Sequence, residues 1–258
     1  MTSVYRAVDE HYTNASLYND LKHSERVANA FGYTNAELAT VPINSHLGLS
    51  CGNPVATSNL KEGETFLDLG SGGGLDVFLA SKRMIDLARR NMVKSDYKNV
   101  EFIKGLVTRL PVQSSSVDIV SSNCVINLVP EEDKPTVFTE IYRVLRPDGR
   151  LAISDILLKK PFPDAMKNDL SLYTACIVSA SALEQYRTWM LAAGFSGIVF
   201  VDTQKDLNIS KSTTDSGRVC CGGSKGPALQ DVKCGDSRTL DLNEYISAYQ
   251  IYALKAGT

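Results

Sequence analysis

Apolar positions along the chain fall into two alternating rhythms. TFLDLG, 65–70, is a short apolar run closed by glycine, and SGGGLDVFLASK after it turns to helical spacing from about Leu75. The pair predicts a strand, a glycine turn and a helix. NVEFIKG, 99–105, and VDIVSSN, 117–123, predict two further strands, the second followed by a turn at Pro130 to Asp133. KPTVFTEIYRVLRPDG predicts a helix with Val137, Ile141, Val144 and Leu145 on one face, stopped by Pro147 and Gly149, and RLAISDILL the strand after it. Beyond Lys160, SALEQYRTWMLAAGF predicts a helix ending at Gly194, with GIVFVDT and AYQIYALKA as a closing pair of strands.

Residues 3–40 read as polar helices, a lid or covering layer, with Val4, Val8, Tyr12, Leu21, Val27 and Ala30 at roughly helical intervals. Gly48, Gly52 and Pro54 break that rhythm and set Cys51 on a loop. The stretch 210–239, rich in Ser, Gly, Lys and Asp, predicts a surface excursion. Strands alternating with helices give an α/β protein with a mostly parallel sheet and no internal repeat.

Composition narrows the function classes. With 258 residues, 43% of them hydrophobic, the chain can bury a core of its own. A formal charge of -2, with scattered cations, offers no field for a phosphate backbone, so nucleic acid is not expected as a partner. The first residues lack a signal-peptide profile, and no uncharged apolar stretch reaches the roughly 18 residues of a membrane span, which predicts a soluble cytoplasmic protein with no membrane partner. Six cysteines, unevenly spaced and without Cys-x-x-Cys, suit thiols, redox groups or metal ligands better than a disulfide framework. His11, His23 and His46 show no zinc spacing.

DLGSGGG, Asp68 to Gly74, allows close backbone approach to a ligand at a helix N-terminus, although an isolated glycine-rich stretch is equally an ordinary tight turn. Together with the KG that ends 99–105 and the closing RPDGRLAISD, it resembles the S-adenosylmethionine-dependent methyltransferases of the Rossmann-like class over about 62–158. The resemblance implies a sheet with helices on both faces. It implies that Asp68, Gly70, Ser71, Gly72 and Gly74 line the methionine part of the cofactor, that Leu106 and Val107 pack on its adenine, and that Asn123 belongs to the binding set.

Asn123 and Cys124 stand at the carboxyl end of a strand, where open parallel sheets bind ligands. From position alone Cys124 is either a small buried apolar residue or a thiol beside the cofactor. SSNCVINLVPEEDK, with GLSCGNPVA before the glycine turn and LYTACIVSA after the last parallel strand, resembles the arsenite methyltransferases, most of all their fungal members, over most of the chain to DLNEYISAYQIYALKA. That resemblance implies Cys124 and Cys176 as the core arsenic ligands and Cys51 as a third thiol that also enters a disulfide during turnover. Trivalent arsenic is thiophilic, and three sulfurs leave it a lone pair for an in-line attack on the sulfonium methyl, with little need for a general base. Cys220 and Cys221, vicinal in GRVCCGGSKG, are candidates for auxiliary arsenic capture or for resolving thiols, their alternative being an exposed loop that tolerates cysteine; Cys234 carries less information. The implied partners are arsenite, methylated arsenicals and glutathione or thioredoxin as reductant, and a monomer is expected.

The domain plan that follows is a helical lid segment with the Cys51 loop at 1–61, a cofactor-binding core at 62–159, and a C-terminal α+β arsenic-binding region at 160–258. Two departures from the family pattern stand out. A second strand ending in a ribose-binding acid is missing after Lys82, where FLASK runs straight into RMIDLARRN, and Asp86 lies within a helical pattern. Residues 1–50 contain none of the family's further cysteine. The rival readings are a methyltransferase for a quinone- or sterol-type acceptor, which leaves the three thiols without a role, and a cofactor-deficient relative that only sequesters arsenite.

Overall fold

A computed structural model describes residues 6, 8, 11–12, 20–88, 99–164, 173, 176–208 and 241–257, with side chains of 82–88 outside the description. Cys220, Cys221, Cys234 and all of 210–239 lie outside the described residues. Residues 6, 8, 11 and 12 are helical, and among the described residues from 20 onwards three helices precede the sheet: α1 (Leu21–Ala30), α2 (Asn35–Leu38) and α3 (Pro54–Thr57). Asp20 caps α1 by accepting from the amides of Lys22 and His23, and Thr34 and Glu37 form a capping box on α2.

The core follows as β1 (Phe66–Leu69), α4 (Leu75–Ala88), β2 (Val117–Asn123), α5 (Lys134–Val144), β3 (Leu145–Leu158), α6 (Leu183–Ala193), β4 (Phe195–Asp202) and β5 (Ile246–Lys255). The strands make one sheet in the order β1-β2-β3-β5-β4. β1, β2 and β3 are parallel, whereas β5 runs antiparallel between β3 and β4. Leu151–Leu157 of β3 is buried without interruption, as a central strand covered on both faces requires. On one face α5 and α6 bring Val137, Phe138, Ile141, Tyr186 and Met190 into the main core. Leu75, Leu79 and Ala80 of α4 pack on the other face with Val55 and Tyr33.

The expected strand at 99–105 does not form: the segment makes no ladder, and the only pairing nearby is an isolated bridge between Leu106 and Arg109. A strand needs a neighbour for its backbone groups, and no described strand pairs with the outer edge of β1. Phe102 and Ile103 are therefore exposed, with Phe102 turned edge-on to Phe78. The helix expected through RPDG ends earlier, at Val144. Pro147 disfavours helical backbone at Arg146, and Leu145 already has extended dihedrals of φ -64° and ψ 138°. The helix from Leu75 continues through Arg83 to Ala88, so Asp86 is helical, as its spacing predicts.

Candidate active site

A cleft opens at the carboxyl ends of β1 and β2, walled by Asp68 and the glycine turn on one side and by Asn123, Cys124 and Val125 on the other. Leu47 and Ser50 of the preceding loop roof it. Gly70, Ser71, Gly72 and Gly73 line it directly. Gly73 has no room for a side chain, since a Cβ there would stand 2.6 Å from the carbonyl oxygen of Ser45 and 2.8 Å from that of Asn44. The glycine thus lets the roof loop settle against the turn. Gly74 ends the turn outside the lining and packs towards Phe78 and Phe102.

Asn123 is the hub of this site. Its Oδ1 accepts the Cys51 amide at 2.9 Å, while its Nδ2 lies 2.9 Å from the Gly52 carbonyl, 2.9 Å from the Tyr33 hydroxyl and 3.2 Å from Asp76 Oδ2. The Tyr33 hydroxyl donates to Asp76 Oδ1 at 2.7 Å. One side chain therefore joins the end of β2, the Cys51 loop and the first turn of α4. Asp76 and Tyr33 carry no motif; the only sequence signal was an acid set among apolar residues at the start of a helix.

Burial pushes Asp76 up to about 6, opposed by the hydrogen bonds from Tyr33 and Asn123. Asp68 is raised well above the carboxylate range, first by burial and then by the charge of Asp76. Its Oδ1 is buried without a hydrogen-bond partner. Two close carboxylates in a dry wall, one with an unused acceptor, suit a cationic ligand that would favour their ionised forms.

The three predicted thiol positions converge beside this cleft. Cys51 and Cys124 are joined in a disulfide with Cα atoms 5.8 Å apart, and the Cys176 thiol donates to the Cys124 carbonyl at 3.1 Å. All three are buried in one apolar cluster with Val27, Phe31, Ile156 and Phe162. Cys124 and Cys176 both have left-handed backbones, at φ 57° and 60°, a conformation that side-chain-bearing residues rarely adopt and that concentrates at functional sites. Gly52 makes the approach of the Cys51 loop possible, because a Cβ there would lie 2.6 Å from Ser154 Oγ.

The turn carrying Cys176 is anchored from below. Lys134, 1% exposed, donates to the Ser179 carbonyl and the Ser181 hydroxyl at 2.7 Å each and to Glu131 at 2.9 Å. Beneath it, the fully buried Asp155 accepts from Asn127 Nδ2 at 2.8 Å and from the Tyr186 hydroxyl at 2.9 Å. Burial pushes Asp155 up to about 6 against those hydrogen bonds and the Lys134 charge. Leu106 and Val107 are not brought to the cleft: Leu106 is exposed, and Val107 packs against the main core. Without a ladder at 99–105, no strand pairing carries that segment along the sheet end.

Comparison with known proteins bears on the fold and the family. The chain is 43% identical over 182 residues to the arsenite methyltransferase of Halobacterium salinarum, covering 65% of this chain and 46% of that protein. It is 36% identical over 138 residues to the arsenite methyltransferase of Mus musculus, covering 44% and 36%. The chain thus spans less than half the length of either relative. An arsenic(III) S-adenosylmethionine methyltransferase of Chlamydomonas reinhardtii has the same fold, with a TM-score of 0.52 at 23% identity over 90% of this chain and 73% of that one. A methyltransferase-domain family matches residues 60–195, more than half of the chain and the whole span from β1 through α6, and the protein belongs to that family.

Proposed function

We propose that the protein methylates trivalent arsenic with S-adenosylmethionine, taking arsenite as a thiol conjugate and then methylarsenite, in arsenic detoxification. The observation that carries this reading is the convergence of Cys51, Cys124 and Cys176 in one apolar cluster beside the glycine-turn cleft. Arsenite methyltransferases among its relatives support it.

S-adenosylmethionine supplies a sulfonium-bound methyl group. Asp68 with its unused Oδ1 would hold the ammonium group of its methionine end and the amides of Gly70 to Gly73 its carboxylate, and Asn123 keeps the Cys51 loop against that wall. Phe31, Ile156 and Phe162 exclude water from the thiols, which favours sulfur over oxygen as arsenic's partner. Leu106 and Val107 reach the adenine only if 99–107 rearranges. The Cys51–Cys124 bond must be reduced before three thiolates are presented, so the reaction uses a thiol reductant of the glutathione or thioredoxin kind. Among the described residues no helix is long and apolar enough to cross a membrane, and a cytoplasmic monomer accords with this reading.

Calorimetric titration of S-adenosylmethionine into the reduced protein, followed by arsenite turnover in wild type and Cys124→Ser, tests the proposal. Micromolar binding with turnover lost in the variant is expected. Binding with turnover of a carbon or oxygen acceptor that ignores the variant would indicate a quinone- or sterol-type enzyme. Arsenite binding without cofactor binding would leave a thiol protein that only sequesters arsenic.

A further inference from the structure

The disulfide stands between two cavities. Cys124 lines the glycine-turn cleft and not the second cavity, whereas Cys51 lines the second cavity and not the cleft. The second cavity, about 300 Å³, lies on the opposite side of the Cys51 loop, between Phe31 at the end of α1 and the antiparallel edge of the sheet. Asn53, Thr203, Lys205 and Gln250 supply its polar wall. Lys205 is exposed at its rim, and no described carboxylate pairs with it. Its sequence neighbours are engaged elsewhere: Asp202 Oδ1 accepts from Ser247, and Asp206 Oδ1 from Asn243.

We propose that this cavity is the docking site for the thiol that reopens the Cys51–Cys124 disulfide, and that it takes a small anionic thiol with a carboxylate for Lys205 and an acceptor for the side-chain amide nitrogen of Gln250, whose oxygen already accepts from Tyr252. The inference rests on the arsenic-methylation reading for its purpose but not for its test. A thiolate in the cavity meets Cys51. Its attack forms a mixed disulfide at Cys51, breaks the Cys51–Cys124 bond and leaves the electron pair on Cys124 as a thiolate. A second molecule of the thiol attacks the mixed disulfide, leaving as the oxidised dimer and returning Cys51 as a thiolate. Two thiols are oxidised and one protein disulfide is reduced.

The placement has a functional consequence. Reductant enters from behind, while the released Cys124 thiolate faces the cleft in which methylation takes place, so neither reagent needs the other's pocket. A macromolecular reductant is disfavoured because Cys51 is only 5% exposed and lines a cavity of about 300 Å³, too small for a protein loop with its own disulfide.

The test is the rate at which purified oxidised protein regains the Cys51 and Cys124 thiols, followed by alkylation and mass spectrometry, with glutathione, uncharged 2-mercaptoethanol and cationic cysteamine as probes. Lys205→Glu is expected to slow glutathione about fivefold, as loss and reversal of one exposed charge contact implies, while leaving 2-mercaptoethanol unchanged and speeding cysteamine. Lys205→Arg should keep the wild-type pattern. An equal change for all three thiols, no change for any, failure of the disulfide to form, or reduction by thioredoxin that outpaces glutathione and ignores Lys205 would each overturn the proposal. Turnover of protein pre-reduced with dithiothreitol reports separately on methylation, so the two readings fail independently.

Discussion

The glycine-turn cleft and the thiol cluster share a boundary at two consecutive residues, Asn123 and Cys124, yet they are built differently. The cleft is polar and local: its turn, Asp68 to Gly74, is one continuous stretch, and its long-range support is the roof loop seated on Gly73 and the Asn123 amide that clasps Tyr33, Gly52 and Asp76. The thiol cluster is apolar and assembled from afar, with Cys51 and Cys176 separated from Cys124 by 73 and 52 positions. A ligand site of backbone amides needs only the right turn, whereas a soft three-sulfur site needs three loops held by packing. The second should therefore depend on remote residues that the first can lose.

The largest separation of the two regions is expected from Cys124→Ser. On the proposed reading, replacing the Cys124 thiolate with a hard hydroxyl should lower arsenite turnover on the order of 10³-fold, because arsenic would lose a soft ligand and its position. S-adenosylmethionine affinity, measured by calorimetry, should change little. Lys134→Met comes next: it leaves the Ser179 carbonyl and the Ser181 hydroxyl without their buried cation, at a cost of roughly 3 kcal/mol in denaturant unfolding. Arsenite affinity should fall in the same variant while cofactor affinity holds, and equal losses at both sites would erase the distinction drawn here.

Asp155→Asn sharpens the comparison through pH. The folded protein raises Asp155 to about 6, so its stabilising contribution is complete below the unfolded value near 4 and is lost as pH rises through about 6. The stability of wild type relative to the variant should thus fall between pH 4 and pH 7, by up to about 3 kcal/mol. Paired chemical denaturation across that range measures it. Asp68 and Asp76 shift in the same direction but are common to both proteins, so they cancel in the difference. The smallest effect is assigned to Gly73→Ala, where a Cβ presses on the Ser45 and Asn44 carbonyls; about 2 kcal/mol of strain should be relieved by movement of the roof loop. Cofactor affinity should then drop while arsenite capture persists, the reverse of Lys134→Met.

Much of the parallel half of the sheet was readable because its signals are local. FLDL closed by glycine, the onset of helical spacing at Leu75, and the Gly194 stop of α6, which takes φ 103°, are decided within a few residues. The strand expected at 99–105 was not formed, since an apolar alternation becomes a strand only when a partner edge is available. Leu106 and Val107 missed the cleft for the same reason. Tyr33, Asp76 and Lys134 went unnoticed because each is an ordinary residue type in an ordinary context. What distinguishes them is burial beside a partner 43 to 47 positions away.

By itself the sequence determined the alternation of strands and helices, the glycine turn with its acid, and the presence of six thiols with soft-ligand chemistry, of which resemblance to the arsenite methyltransferases singled out three. Those properties depend on neighbouring dihedrals and on side-chain type alone. Only the tertiary structure decided that β5 would insert antiparallel beside β3, that Cys124 and Cys176 would adopt left-handed backbones, and that the Cys51–Cys124 pair would border two cavities. Such features arise from the simultaneous burial of distant segments, and a strained backbone persists only where the surrounding packing holds it.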